Sequence, residues 1–256
     1  MSGKFFTFWA AASGPRGEGT VRRHLLMGCM SNVRRNDGSR LAARRLIYFP
    51  ILHTESDMGA LSESVRRATV RKLGERRWKN QVNAVDRMWA DIEGVIDGLA
   101  LPYEKVRLYQ DGMPVCGRER EIVTELATAG SRNHRLLLRL MERGATIMGA
   151  ESSELLVEEY ELVKQVLGAA DVRKETTMDD RLKALSRSLL KRRDQYIASR
   201  INATLLPGET GILFLGMLHS LASLLDEDIR VVYPLNKPLD HGTRRDGRSP
   251  RDGSHR

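Results

Sequence analysis

Cysteine is almost absent from this chain: there are two, Cys29 and Cys116, in 256 residues. Two cysteines cannot build a disulfide framework. Neither has a second cysteine or a histidine at metal-finger spacing, so a zinc module is excluded as well. A reducing, cytoplasmic setting is the expectation that follows. Long apolar runs are also missing. No stretch approaches the roughly 18 residues of a membrane-spanning helix. The run Phe5–Ala12 has eight residues and one Lys before it, which barely reaches the length of a signal-peptide core. It is read with the rest of residues 1–45 as an extension.

Acidic surplus is lacking too. The formal charge is +9, yet the excess sits at the ends. Residues 1–45 hold nine Lys and Arg against two Asp and Glu, and residues 236–256 hold six against three. The stretch 46–235 is left almost neutral. Basic ends rich in Gly and Ser are expected to be solvated tails, so the folded part is not expected to recognise a specific nucleic acid. The expected organisation is a basic N-terminal extension over 1–45, one domain over 46–235 and a basic tail over 236–256.

What the chain does have is one phrase written twice. Leu46-Ile47-Tyr48-Phe49-Pro50-Ile51-Leu52-His53 is echoed by Ile212-Leu213-Phe214-Leu215-Gly216-Met217-Leu218-His219. Short, continuously apolar runs of this kind suit strands of a parallel sheet covered on both faces. Lys105–Tyr109, Ala145–Gly149 and Ile229–Tyr233 read as three more strands. Between them, helical patterns cover Ser64–Arg77, Glu119–Ala129, Asn133–Arg143, a segment starting at Ser152 or Ser153, and Arg181–Leu206. Trp78, Val82, Val85, Trp89, Ile92, Ile96 and Leu99 recur at steps of four and three, which lines one face of a helix and assigns both tryptophans to the core. Ala169–Asp180 reads as a polar connection and Ser220–Leu225 as a short helix. Strands alternating with helices give an α/β fold: a mostly parallel sheet with helices on both faces.

In such a sheet the residues just past the strands collect along one edge, where ligands bind. That edge gathers His53 with Glu55 and Asp57, then Gln110 and Asp111, then Glu151, then His219. Neutral imidazoles and carboxylates suit a divalent metal such as Zn, Mn, Fe or Co, which lowers the pKa of a bound water. A His paired with a carboxylate can also act as a general base without metal. In Lys191-Arg192-Arg193, one arginine turned inward could hold a carboxylate in a bidentate contact. The candidate set is therefore His53 and His219 as metal ligands or bases, with Glu55, Asp57, Asp111, Glu151 and Arg193 completing the site.

Arg193-Asp194-x-x-Ile197-Ala198-x-x-Ile201, followed by Leu205 and Gly-Ile-Leu-Phe-Leu-Gly-x-x-His ending at His219, resembles the C-terminal signature of a broad superfamily. Its members include the TraB/PrgY and Tiki proteins, the erythromycin esterase-like proteins and the ChaN-like proteins. Gly216–His219 matches the second of two G-x-x-H motifs. Pro50–His53 matches the first with Pro in place of Gly. Glu151 resembles an acidic residue at a middle strand end. The resemblance implies an α/β fold with a pocket at the strand ends, and members range from metal-dependent peptidases and esterases to a haem-binding lipoprotein. The expectation is a hydrolase, peptidase- or esterase-like, with a small-molecule or peptide substrate and room for a homodimer. The alternative is a non-catalytic ligand-binding or regulatory protein of the same fold.

Overall fold

The computed structural model describes residues 43–52, 61–172 and 180–235. Five strands form one sheet: β1 (Arg44–Ile51), β2 (Val106–Gln110), β3 (Thr146–Met148), β4 (Thr210–Gly216) and β5 (Ile229–Val232). Their order is β3-β2-β4-β1-β5, and every pairing is parallel. The helices are α1 (Ser62–Leu73), α2 (Glu75–Asp97), α3 (Glu119–Thr128), α4 (Arg132–Glu142), α5 (Ser153–Val172) and α6 (Asp180–Thr204). The α/β class expected from the sequence is the one observed. Among the described residues, no helix is long and apolar enough to cross a membrane.

Side chains on a strand alternate between faces, and that alternation sorts the core in two. Ile47, Phe49, Ile51, Ile212 and Phe214 pack with Val85, Trp89, Ile92 and Ile96 of α2 and with leucines of α4. On the other face Leu46, Tyr48, Leu213 and Leu215 pack with Ile197, Ala198, Ile201 and Leu205 of α6 and its exit. Helix α5 lies against α6 through Leu155, Leu162 and Leu189.

Some expectations need correction. Trp89 is core, but Trp78 is only half-buried and Val82 is exposed. The apolar stripe of α2 outruns the sheet at its N-terminal end. The helix expected across Ser64–Arg77 breaks at Gly74, whose φ of +81° suits a residue without Cβ. The polar connection expected from Ala169 starts later, because α5 runs on to Val172. Ser152, not Ser153, caps α5, its hydroxyl accepting from the Leu155 amide at 3.3 Å. The short helix expected over Ser220–Leu225 does not form; that stretch is turns.

The topology places the site. Strands β2 and β4 are neighbours, with Gln110 level with Phe214. The chain leaves β2 for β3 on one side and leaves β4 for β5 on the other. The connection after β2 packs on one sheet face, while Leu221, after β4, packs on the opposite face. Neighbouring strands whose connections part in this way open a crevice at their C-terminal ends.

Candidate functional site

At the end of β2 the Asp111 amide donates to the Phe214 carbonyl at 2.9 Å, so the turn stays stitched to β4. Gly112 follows with φ +75°, and its amide donates to Glu151 Oε1 at 3.2 Å. At the end of β3, the chain of Pro114 and Val115 crosses directly over Gly149. A Cβ there would lie 2.6 Å from Val115 Cα and 2.7 Å from the Pro114 carbonyl oxygen. Only glycine allows that crossing. It lets the Glu151 amide donate to the Met113 carbonyl at 3.0 Å while the Val115 amide donates to the Glu151 carbonyl at 2.9 Å. Glu151 is thereby fixed beside Asp111.

Helix α6 supplies the cation. Arg193 is turned inward and buried. Its Nε donates to Glu151 Oε2 at 3.0 Å and its Nη2 to Glu151 Oε1 at 2.5 Å, a bidentate contact. Nη2 also donates to Asp111 Oδ1 at 2.8 Å, and Nη1 donates to Glu159 Oε1 of α5 at 2.5 Å. Burial alone would lower the guanidinium pKa, but Asp111 and Glu151 outweigh it, and the net shift is upward. Burial pushes Glu151 above the usual carboxylate range, and Arg193 offsets only part of that. The neighbouring Asp111 charge adds to the rise, and the one guanidinium is shared among three carboxylates.

Past β4, the Gly216 amide donates to Asp111 Oδ2 at 2.8 Å, and the His219 amide donates to the Gly216 carbonyl at 3.0 Å. This turn swings His219 under the sheet edge. The His219 side chain is buried, and its Nδ1 lies 2.5 Å from Asp194 Oδ1. The Ser220 amide donates to Asp194 Oδ2 at 3.2 Å. An ionised Asp194 carboxylate only accepts, so in the neutral imidazole the proton is assigned to Nδ1 and the Nε2 lone pair is left free. Nε2 has no hydrogen-bond partner and sits 3.7 Å from Asp111 Oδ2. Two acceptors therefore face each other, an arrangement completed by a group that brings a proton or a positive charge.

Of the residues expected from the sequence, the structure brings together Asp111, Glu151, Arg193 and His219. His53, Glu55 and Asp57 lie outside the described residues. Asp194 and Glu159 were missed. Asp194 had a signal: it precedes Ile197 and Ala198 by three and four positions, so helical periodicity puts it on the buried face of α6. Glu159 had none, because α5 shows no feature that singles it out from its other glutamates. Tyr48 is another buried polar group on this sheet face. Its hydroxyl has no partner, and burial, with Tyr233, Asp111 and Asp194 adding to it, raises its pKa far above the ordinary value.

No protein-family model matches this chain, and no curated protein or solved structure matches it.

A catalytic zinc takes about three protein ligands. Among the described residues, no three of His, Cys, Asp and Glu are placed to share one metal ion. His219 Nε2 and Asp111 Oδ2 make a pair of suitable donors, one short of that number. What the pair supports directly is proton transfer: an oriented imidazole with one free nitrogen beside a carboxylate.

Proposed function

We propose that the protein is a hydrolase in which His219, oriented by Asp194, is the general base. The observation that carries the reading is the free, buried Nε2 of His219, opposite an Nδ1 bound to a carboxylate. In this scheme Nε2 takes the proton of a nucleophilic water as that water attacks an ester or amide carbonyl. Asp194 stabilises the imidazolium that results. The proton then passes to the leaving group as the carbon–oxygen or carbon–nitrogen bond breaks. Asp111 faces Nε2 and adds to the stabilisation of the imidazolium. Arg193 and Glu151 are positioning residues that hold Asp111 in place. The reading includes a small-molecule or peptide substrate, a cytoplasmic setting and kinship with the TraB/PrgY–Tiki and erythromycin esterase-like proteins; a divalent metal would need donors beyond His219 and Asp111.

The test is a panel of p-nitrophenyl acetate, p-nitrophenyl butyrate and leucine p-nitroanilide, assayed with parent, His219→Ala and Asp194→Asn proteins, before and after chelation. The expected result is turnover of one class, with kcat/KM falling about 10²- to 10⁴-fold in His219→Ala and less in Asp194→Asn. Turnover untouched by His219→Ala would overturn the assignment.

One observation favours a second reading. His219, Glu151 and Arg193 are each no more than 2% exposed, so the same network could tie the strand ends together in a non-catalytic ligand-binding protein. A parent inert to all three substrates, yet strongly destabilised by His219→Ala, is the result expected of that reading.

A further inference from the structure

The near-neutral charge of residues 46–235 hides a local excess. Between positions 66 and 79 stand Arg66, Arg67, Arg71, Lys72, Arg76, Arg77 and Lys79, with Glu75 the one anion among them. All seven cations are exposed. The fold concentrates them. Helix α1 ends at Leu73, Gly74 turns the chain, and α2 begins at Glu75. Val65, Ala68 and Thr69 face inward on α1, which puts Arg66, Arg67 and Arg71 on the outer side. On α2, Arg76, Arg77 and Lys79 surround Trp78, the half-buried end of the apolar stripe. The Arg66 guanidinium lies 5.2 Å from the centroid of the Trp78 ring, which joins the two helices across the corner. Glu75, the one anion within that stretch of sequence, lies 3.5 Å from Lys79.

We propose that this α1–α2 corner is a sequence-independent docking surface for the phosphate backbone of a nucleic acid. Three observations favour that partner. Seven cations stand against one anion within positions 66–79, a density that neutralises successive phosphates and releases counterions. Most are arginines, whose planar fork matches phosphate oxygens. Among the described residues the corner also lacks an apolar face to sink into lipid: Val65, Ala68 and Thr69 of α1 are buried, and Val82, at 38% exposed, is the one large apolar side chain of α2 that stands out. An interfacial helix needs such a face. The surface is independent of the hydrolase reading, since none of its residues belongs to the strand-end site.

The test uses the full chain and a fluorescent 20-base-pair duplex, with anisotropy read across a salt series. The corner variant is Arg67→Glu/Arg76→Glu/Arg77→Glu. Its control, Arg245→Glu/Arg248→Glu/Arg251→Glu, changes net charge equally in the basic tail. A milder Arg76→Gln/Arg77→Gln variant, with its thermal melt, guards against loss of folding. The expected result is parent binding whose logarithmic salt slope drops in magnitude by about 2 to 3 in the corner triple variant, each lost phosphate contact removing ~0.9. Affinity should fall about tenfold or more in that variant, and the milder variant should show a smaller loss with an unchanged melt. The tail control should stay near the parent. Equal losses in corner and tail variants, or no duplex binding by the parent at low salt, overturn the proposal. So does binding to phosphatidylserine vesicles without binding to the duplex.

Discussion

Arg192 and Arg193 are adjacent, carry the same side chain and both pair with a glutamate of α5, yet the fold treats them oppositely. Arg192 reaches Glu158 with both side chains about half exposed, so solvent screens the pair and little stability rests on it. Arg193 sits at 3% side-chain exposure against Asp111 at 5% and Glu151 at 0%. Removing the cation from such a set leaves buried carboxylates uncompensated, a loss of about 3–5 kcal/mol. Arg193→Met should therefore lower the urea midpoint strongly with an unchanged slope, and Arg192→Met should leave it where it was. Adding Glu151→Gln to Arg193→Met should recover part of the loss, because one stranded charge is removed with its partner. Equal midpoints for the two single variants would show that the network carries no such strain. At this scale the sequence showed that one arginine of the basic run could turn inward, and helical phase alone did not say which. Asp111, Glu151 and His219 were legible because a parallel sheet brings the ends of its strands to one edge. Asp194 was legible only in its spacing to Ile197 and Ala198 along α6.

Elements show what a hydrophobic pattern does and does not fix. The stripe of α2 is continuous in sequence, but the sheet it covers is finite. Trp89 packs at 6.0 Å, centroid to centroid, on Phe214, which stacks at 5.5 Å on Phe49. This chain of rings links α2 through β4 to β1. Trp78 lies beyond that contact and is covered partly by Arg66. Trp89→Ala should cost about 3–5 kcal/mol, as large aromatic truncations in cores do, and Trp78→Ala a clearly smaller amount; chemical denaturation of both variants measures the gap. A Trp78→Ala loss as large as that of Trp89→Ala would mean that the stripe is core along its whole length. β1 and β4 were legible as short apolar runs, and β2 as an alternation of polar and apolar residues. The helix expected over Ser220–Leu225 does not form. The chain returns along β4 and passes β1 to reach β5 in 12 residues, from Met217 to Asp228. It does so through turns, in which the Leu224 amide donates to the Leu221 carbonyl at 2.8 Å and the Ile229 amide to the Asp226 carbonyl at 3.0 Å.

At the scale of the whole molecule, charge acts through placement, and sums along the sequence conceal it. The stretch 46–235 adds to nearly nothing, yet it holds both the cation-rich α1–α2 corner and a buried site with more carboxylates than cations. Elsewhere, ion pairs link elements remote in sequence. Arg132 of α4 holds Glu93 of α2, Arg107 of β2 holds Glu209 before β4, and Arg44 of β1 holds Asp228 before β5. Hydrogen bonding from Arg132 and from Arg44 lowers the pKa of Glu93 and of Asp228. Burial would raise Glu209, but Arg107 outweighs it, and the net shift is again downward. A carboxylate lowered by folding adds stability above its unfolded pKa and loses it as pH falls through the folded value. These three should therefore make the protein less stable on acidification below about pH 4.5. Glu151 has the opposite sign. Burial raises it, so its contribution is full below the unfolded pKa and is lost as pH rises through the folded one. Glu151→Gln removes that ionisation and leaves the other three in place. Relative to the parent, the variant should then be least favourable at pH 4 and gain steadily towards pH 7.5, which urea denaturation at pH 4, 5.5 and 7.5 would measure. A parent–variant difference that stays constant with pH would mean that Arg193 fully compensates the buried carboxylate, and the excess of negative charge assigned to the site would have to be abandoned.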